Sequence, residues 1–309
     1  MISNASFRAL ALRGLSMLVG CFCALGWLAA GQTNPAGPAS AAETNQPVLT
    51  PVADEEFFGW LLGLGADSNK VAQLRQAADT QRYWGWFRDR PLAVRQPEQL
   101  LNGRDLAAFY PWLEREGTFA DREGVFTLTN GLLRISGQRT GYLATRRSYS
   151  NYRLVAEFKW GEATWGRRKE RTRNSGLCIH GVGEDKVWMR SIEIQIAEGQ
   201  TGDVVVLEGA KLTVDGQTKV RSYDTFKRPG SEQVVDKTGF RGKEDLEKPH
   251  GEWNTLEVIA LGATLRVKVN DTPVLAGESA YPSAGRIYLQ SNGAEIFFRR
   301  LDVYPVAGE

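Results

Sequence analysis

The sequence predicts an all-β fold, two stacked antiparallel sheets in a sandwich or jelly roll, with a short helical extension at the N-terminus. Three observations predict it. From Arg153 to Trp160 the side chains alternate: Leu154, Ala156, Phe158 and Trp160 face one way, and Arg153, Val155, Glu157 and Lys159 face the other. From Ser191 to Ala197 an apolar row of Ile192, Ile194 and Ile196 alternates with a polar row of Ser191, Glu193 and Gln195. Further short runs recur at 125–128, 132–136, 141–145, 177–180, 203–207, 255–261, 264–269, 285–290 and 296–304, with Gly, Asn and Asp between them. Such punctuation is the pattern of a sandwich or jelly roll.

The elements follow in order. Residues 1–42 read as an export signal with its cleavage region. Arg8 and Arg13 give a positive start, Leu15 to Ala30 is an uncharged apolar run, and Ala39-Ser40-Ala41 is a small-residue cleavage pattern. The same segment has two other readings. An uncleaved run is close to the length of a membrane span, and Leu18-Val19-Gly20-Cys21 is similar to a lipobox, which makes Cys21 a lipidation site. All three readings export the domain, to the periplasm or the medium, and limit any membrane association to the leader or a lipid anchor. Residues 31–53 are polar and rich in Pro, Ala, Gly and Thr, so 43–53 is a linker beyond the cleavage region. Residues 54–98 form the extension, with a helical pattern over 54–90. Asp67 and Ser68 can cap a segment with Val71, Leu74 and Ala78 on one face. Residues 99–306 carry the strands. Their longest irregular stretches are 161–175 and 222–252, and long loops on a rigid sandwich are where binding sites are built.

Composition removes several function classes. Lys plus Arg is 38 and Asp plus Glu is 36 in 309 residues, a net charge of +2. That is no basic footprint for a nucleic-acid partner. With only His180 and His250, a three-His zinc site and an H-E-x-x-H helix are both excluded. Cys21 and Cys23 lie in the leader, so Cys178 is alone in the rest of the chain and cannot build a zinc ribbon, an iron–sulfur site or a disulfide framework. The nucleotide-binding and nucleophile-elbow glycine motifs are missing. No cofactor and no metal ligand set is assigned. Calcium needs only scattered oxygens, and the sequence neither supports nor excludes it.

The candidate chemistry sits on two strands. If Ile192, Ile194 and Ile196 enter the core, Glu193 and Gln195 face a cleft, and a carboxylate on a strand is held rigidly enough for acid/base work. The competing reading is an ordinary solvated outer face. His180 ends the run Leu177-Cys178-Ile179-His180, between Asn174-Ser175-Gly176 and Gly181-Val182-Gly183. If its strand neighbours that of Glu193, the two can share a proton; otherwise it is a hydrogen-bonded core imidazole. The basic run Arg167-Arg168-Lys169-Glu170-Arg171-Thr172-Arg173 is either solvated or meets an anionic or hydroxyl-rich ligand. Trp160, Trp165 and Trp188 lie near these segments as core residues or as faces for sugar rings. Arg286, Tyr288 and Gln290 share one face of a late strand and can donate to a polyol.

Several motifs occur in a fixed order. They are Leu101-Asn102-Gly103-Arg104-Asp105-Leu106, Asn130-Gly131-Leu132-Leu133, Gly141-Tyr142-Leu143-Ala144-Thr145, Tyr152-Arg153-Leu154 running to Trp160, Asn174-Ser175-Gly176, Glu193-Ile194-Gln195-Ile196, Thr201-Gly202-Asp203, Gly251-Glu252-Trp253-Asn254 and Arg299 to Val303. The set resembles the 3-keto-disaccharide hydrolase domain family over about Gln99 to Pro305. The resemblance implies a concanavalin A-like jelly roll and a small carbohydrate substrate, a glycoside oxidised to a ketone at C3. It also implies cleavage by C2 deprotonation, elimination at C1 and hydration. Under that reading Glu193 and His180 are the catalytic pair, and Gln195, Lys159, Arg190, Trp165, Arg286 and Gln290 bind substrate or the developing enolate. Glu193 to Glu198 is also similar to the E-[IL]-D-[IFV]-x-E signature of laminarinase-type glucanases. Here Gln195 replaces the central Asp, and Glu198 falls on the opposite face of an unbulged strand. A retaining pair needs its carboxyls ~5–5.5 Å apart. A non-catalytic carbohydrate-binding jelly roll is the alternative from a different class.

Overall fold

In the computed structural model the fold is carried by the unit Asp89–Glu309. The structure describes residues 97–231 and 235–306, with Ser68 outside that unit. The expected export signal and linker lie outside the described residues, as does the helical extension apart from Ser68 and residues 97 and 98. In chain order the strands are β1 (Glu98–Gln99), β2 (Phe109–Leu113), β3 (Gly117–Thr118), β4 (Phe126–Thr129), β5 (Leu132–Ile135), β6 (Gly141–Thr145), β7 (Tyr152–Thr164), β8 (Asn174–Val182) and β9 (Arg190–Ala197). They continue with β10 (Val204–Leu207), β11 (Lys211–Val214), β12 (Gln217–Lys219), β13 (Thr225–Phe226), β14 (Asn254–Leu261), β15 (Thr264–Val269), β16 (Thr272–Tyr281), β17 (Arg286–Ser291) and β18 (Ala294–Pro305). The larger sheet runs β12-β11-β16-β15-β14-β7-β18-β5-β4, with β1 also on β18. The smaller runs β13-β10-β9-β8-β17-β6-β2-β3. Neighbouring strands pair antiparallel.

The two alternating strands land in different sheets. Leu154, Ala156, Phe158 and Trp160 of β7 and Ile192, Ile194 and Ile196 of β9 enter one shared core. Each large aliphatic or Phe side chain among them contributes roughly 1.5–3 kcal/mol when taken from water, so this core fixes the register of both strands. The smaller sheet is also apolar on its outer face. Tyr110, Trp112, Tyr142, Ala144, Cys178, Val205, Leu207 and Tyr288 form a second cluster there with Trp188 and Met189. Their neighbours Leu143, Leu177, Ile179, Val204, Val206, Ile287 and Leu289 belong to the main core.

Two strands lie beyond the alternation pattern for a local reason. β2 contains Pro111 and β16 contains Pro273 and Gly277, residues that weaken a strand reading. Pro111 is accommodated because β2 sits beside the two-residue β3, and its carbonyl accepts the Phe119 amide at 2.9 Å. Gly277 is bare because a Cβ there would lie 2.8 Å from Leu212 Cδ1 on β11.

Candidate active site

The register of the smaller sheet builds the site. Glu193 on β9 stands opposite Cys178 on β8 and Val205 on β10, and Cys178 stands opposite Tyr288 on β17. Directly opposite residues share a face. Glu193 therefore belongs to the outer face, but its cross-strand neighbours are the apolar outer cluster. It is 6% exposed. The expected polar row is present but buried, with Ser191 inaccessible and Gln195 half-buried.

Glu193 lines a cavity of about 600 Å³ on this face, together with Gln195, Gln290, Asp203, Val205 and Trp188. Burial pushes the Glu193 carboxyl up to about 7, with the Gln290 amide pulling the other way. Charge costs more where water is excluded. Gly176 explains the space: a Cβ there would lie 2.5 Å from Glu193 Oε1 and 2.9 Å from Gln290 Oε1. Gln290 Nε2 donates to Cys178 Sγ at 3.3 Å, and its buried Oε1 has no partner. Ser175 Oγ donates to the Gln290 backbone carbonyl at 2.9 Å, fixing β17 against β8. The Asn-Ser-Gly motif thus shapes the cavity floor.

Of the residues singled out from sequence, the structure brings Glu193, Gln195, Gln290 and Trp188 to this cavity, with Arg167, Arg168 and Arg171 of the basic run. It does not bring the others. His180 lies on the strand beside Glu193, as expected, but faces the core. A register shift between Ile179 and Val182, with His180 at φ 56°, turns its ring under the sheet. There it packs edge-on to Tyr152 of the opposite sheet at 5.7 Å, and Nδ1–H donates to the Pro282 carbonyl at 2.9 Å. Burial pulls its pKa down to about 4, so it is neutral at pH 7 and is not placed to exchange a proton with Glu193.

Lys159 belongs to β7 of the larger sheet. Because Phe158 and Trp160 point into the core, Lys159 points out the far side, over Trp253 at 5.1 Å. Arg190 Nε donates to the Glu208 carbonyl at 2.8 Å, and Arg286 lies over Tyr110 at 5.6 Å; neither lines the cavity. Trp165 donates Nε1–H to the Ser136 carbonyl and borders an adjoining hollow of about 360 Å³. Trp160 is a core residue bonded through Nε1 to Glu247 at 2.9 Å. Glu198 pairs with Arg173 at 2.6 Å and accepts the Gly239 amide, so no glucanase-type carboxyl pair forms with Glu193.

Among the cavity residues that sequence reasoning did not single out as site residues are Asp203, Asn174, Asn292 and Tyr223. Asp203 and Asn174 lay within quoted motifs, which was their available signal. Asp203 is buried and its pKa raised, chiefly by burial; it accepts the Arg228 amide and the Ser231 hydroxyl, both at 2.9 Å. Tyr223 sits in a loop at φ 71°, 62% exposed, and local sequence gives no hint of it. Among the described residues no group of three or more His, Cys, Asp and Glu side chains is placed to hold a metal ion.

Fold and site together define an all-β jelly roll with a buried carboxyl, raised to about 7, on the floor of an open cavity of mixed polar and apolar lining. The chain belongs to the family of the 3-keto-α-glucoside-1,2-lyase-like domain, whose model matches residues 96–304. No curated protein matches the chain. Among solved structures, a protein classed as a glycosyl hydrolase from Parabacteroides distasonis is 17% identical with a TM-score of 0.45, over 67% of this chain and 93% of that one. A carbohydrate-binding module from Bacillus subtilis is 12% identical (TM-score 0.36; 67% of this chain, 94% of that one). A β-glucanase from Bacillus licheniformis is 9% identical (TM-score 0.38; 66% and 95%).

Proposed function

We propose that the protein is an exported enzyme that cleaves glycosides carrying a ketone at C3, and that Glu193 is its base. The observation that carries this reading is Glu193 itself, buried at the cavity floor with its carboxyl raised to about 7. A base matched to neutral pH is what proton abstraction beside a carbonyl needs. A C3 ketone acidifies the C2 proton. Glu193 carboxylate takes that proton, and the electron pair moves into an enolate on the C3 oxygen. The Gln195 side-chain amide is a donor available to that oxygen, while the Gln290 amide serves Cys178 and Glu193. The C1–O bond then breaks, and the departing oxygen takes the proton from Glu193. Water adds to C1 of the resulting enone and a proton returns to C2. The sum is hydrolysis, with one carboxyl cycling and no oxocarbenium ion. The family description, a 1,2-lyase-like domain, supports elimination across these two carbons.

One observation favours the second reading, a binding module. His180 faces the core, so Glu193 has no imidazole partner. The test is the full chain incubated with a 3-keto-α-glucoside and with its unoxidised parent, beside Glu193→Gln. The enzyme reading expects sugar release from the oxidised glycoside alone, lost in the variant. Saturable binding with no release from either glycoside moves the protein to the binding class.

A further inference from the structure

The cavity has two unlike ends. Glu193 pairs with Val205 on β10, and the amide of Tyr223 bonds to the carbonyl of the next residue, Val206, at 2.9 Å. Tyr223 and Val205 thus form an end with an aromatic and an apolar side chain. At the other end β8 begins at Asn174, paired with Ala197. That is four residues along β9 from Glu193, about 13 Å at ~3.3 Å per residue. Here three arginines, Arg167, Arg168 and Arg171, line the cavity from one loop.

Their charge is poorly compensated. Elsewhere in the molecule arginines meet carboxylates: Arg134 with Glu295, Arg153 with Glu257, Arg173 with Glu198, Arg299 with Glu157. At the cavity, Arg167 bonds to a neutral amide, Asn292 Oδ1, at 3.2 Å. Arg168 Nε is buried with no partner. Arg171 alone has a carboxylate, Asp236 at 3.3 Å, whose other oxygen serves the Thr172 amide and hydroxyl. Burial, then the charge of Arg167, pulls the Arg168 guanidinium below its usual range; Asp236 pulls the other way and Arg171 adds to the lowering. The two carboxyls inside the cavity, Glu193 and Asp203, are both shifted toward their neutral forms.

Arg168 is also seated rather than loose. A Cβ at Gly293, which has φ 85°, would lie 2.7 Å from Arg168 Cγ. The glycine gives the arginine stem its place, and the Arg168 amide bonds to the Trp165 carbonyl at 2.9 Å. A half-buried guanidinium held this way, with its Nε short of an acceptor, is complementary to a planar or tetrahedral oxyanion.

We propose that the arginine end of the cavity binds an anionic substituent (carboxylate, sulfate or phosphate) and that the substrate is an acidic glycoside. The proposal rests on the reading that the cavity holds a 3-keto sugar. It adds a direction: the acidic group lies at Arg167 and Arg168, the reacting C2 at Glu193, and an apolar part of the substrate at Tyr223.

The test is calorimetric titration of the full chain carrying Glu193→Gln, which prevents turnover. Four 3-keto methyl glycosides are compared: the neutral glucoside, the glucuronide, the 6-sulfate and the 6-phosphate. At least one acidic glycoside is expected to bind tenfold or more tightly than the neutral one. That arm names the substituent. The preference is expected to fall with rising salt and to disappear in Arg168→Gln. Arg167→Gln, at an exposed position, is expected to weaken the preference without touching the fold. Equal binding of neutral and acidic glycosides overturns the proposal and leaves the keto-sugar reading standing, as does a preference that survives both arginine changes. Binding of none of the four overturns both.

Discussion

Two buried glutamates have the same shift and opposite surroundings. Glu193 and Glu247 are both pushed up to about 7, and in both the first cause is burial. Glu247 comes from the long 222–252 loop and is locked against the core. Trp160 Nε1–H donates to one carboxyl oxygen and the Thr201 hydroxyl to the other. Glu193 has an amide beside it, a bare glycine facing it, and an open cavity. A raised carboxyl pKa therefore does not mark a catalytic group by itself. What separates the two is unspent hydrogen-bonding capacity next to a space a substrate can enter. Glu247 holds a loop to the sandwich; Glu193 is free to take a proton.

The largest expected difference is between their glutamine variants. Glu193→Gln is expected to lower turnover of a 3-keto-glycoside by about 10²–10⁴-fold, the usual worth of a positioned base. Circular dichroism is expected to show an unchanged fold. Glu247→Gln is expected to leave turnover within a few-fold, because its site holds no substrate. Loss of activity in both variants to the same extent would erase the distinction.

Next comes the glycine. Gly176→Ala places a methyl against Glu193 Oε1 and Gln290, and a displacement of about 1 Å in a reacting group costs on the order of 100-fold. The loss should appear in kcat rather than KM, measured on the same glycoside.

The pH dependence separates activity from stability. Glu193 acts as a base when ionised, so kcat/KM should rise through about pH 7. The stability sign is the reverse. A carboxyl raised from 4.5 to about 7 on folding keeps its proton in the native state while the unfolded chain loses it. Stability therefore falls as pH rises from about 4.5 to about 7, by on the order of 3 kcal/mol for each such group. Urea unfolding at pH 5 and pH 8 should show a shallower fall in Glu247→Gln, while its kcat/KM profile keeps the wild-type shape.

The smallest expected effect on activity is at His180. His180→Gln removes the bond to the Pro282 carbonyl and should cost about 1 kcal/mol of stability. It should leave the pH–rate profile near 7 in place, since His180 is already neutral there. A profile that lost its limb in this variant would return His180 to the reaction.

These contrasts also show which parts were legible in the chain. The rows Leu154/Ala156/Phe158 and Ile192/Ile194/Ile196 were readable because period-two alternation is local, and the outward face of Glu193 and Gln195 followed from it. The burial of Glu193 was not readable. It depends on Cys178, Val205 and Tyr288, which arrive from other strands by register. His180 was misplaced because a bulge two residues from its strand end inverts the alternation. Lys159 was misplaced because alternation says which face a side chain takes, not which sheet its strand joins. Tyr223 and Arg168 sit outside the strands, where no periodicity speaks.

The central claim is that Glu193 removes the C2 proton. The direct measurement is turnover of a 3-keto-glycoside in deuterium oxide, with the isotope at C2 of the released sugar read by NMR. The account predicts deuterium at C2 well above that acquired by the free product alone, and neither release nor exchange in Glu193→Gln. Release of a sugar that keeps its C2 hydrogen would contradict it, because the glycosidic bond would then break without Glu193 acting at C2.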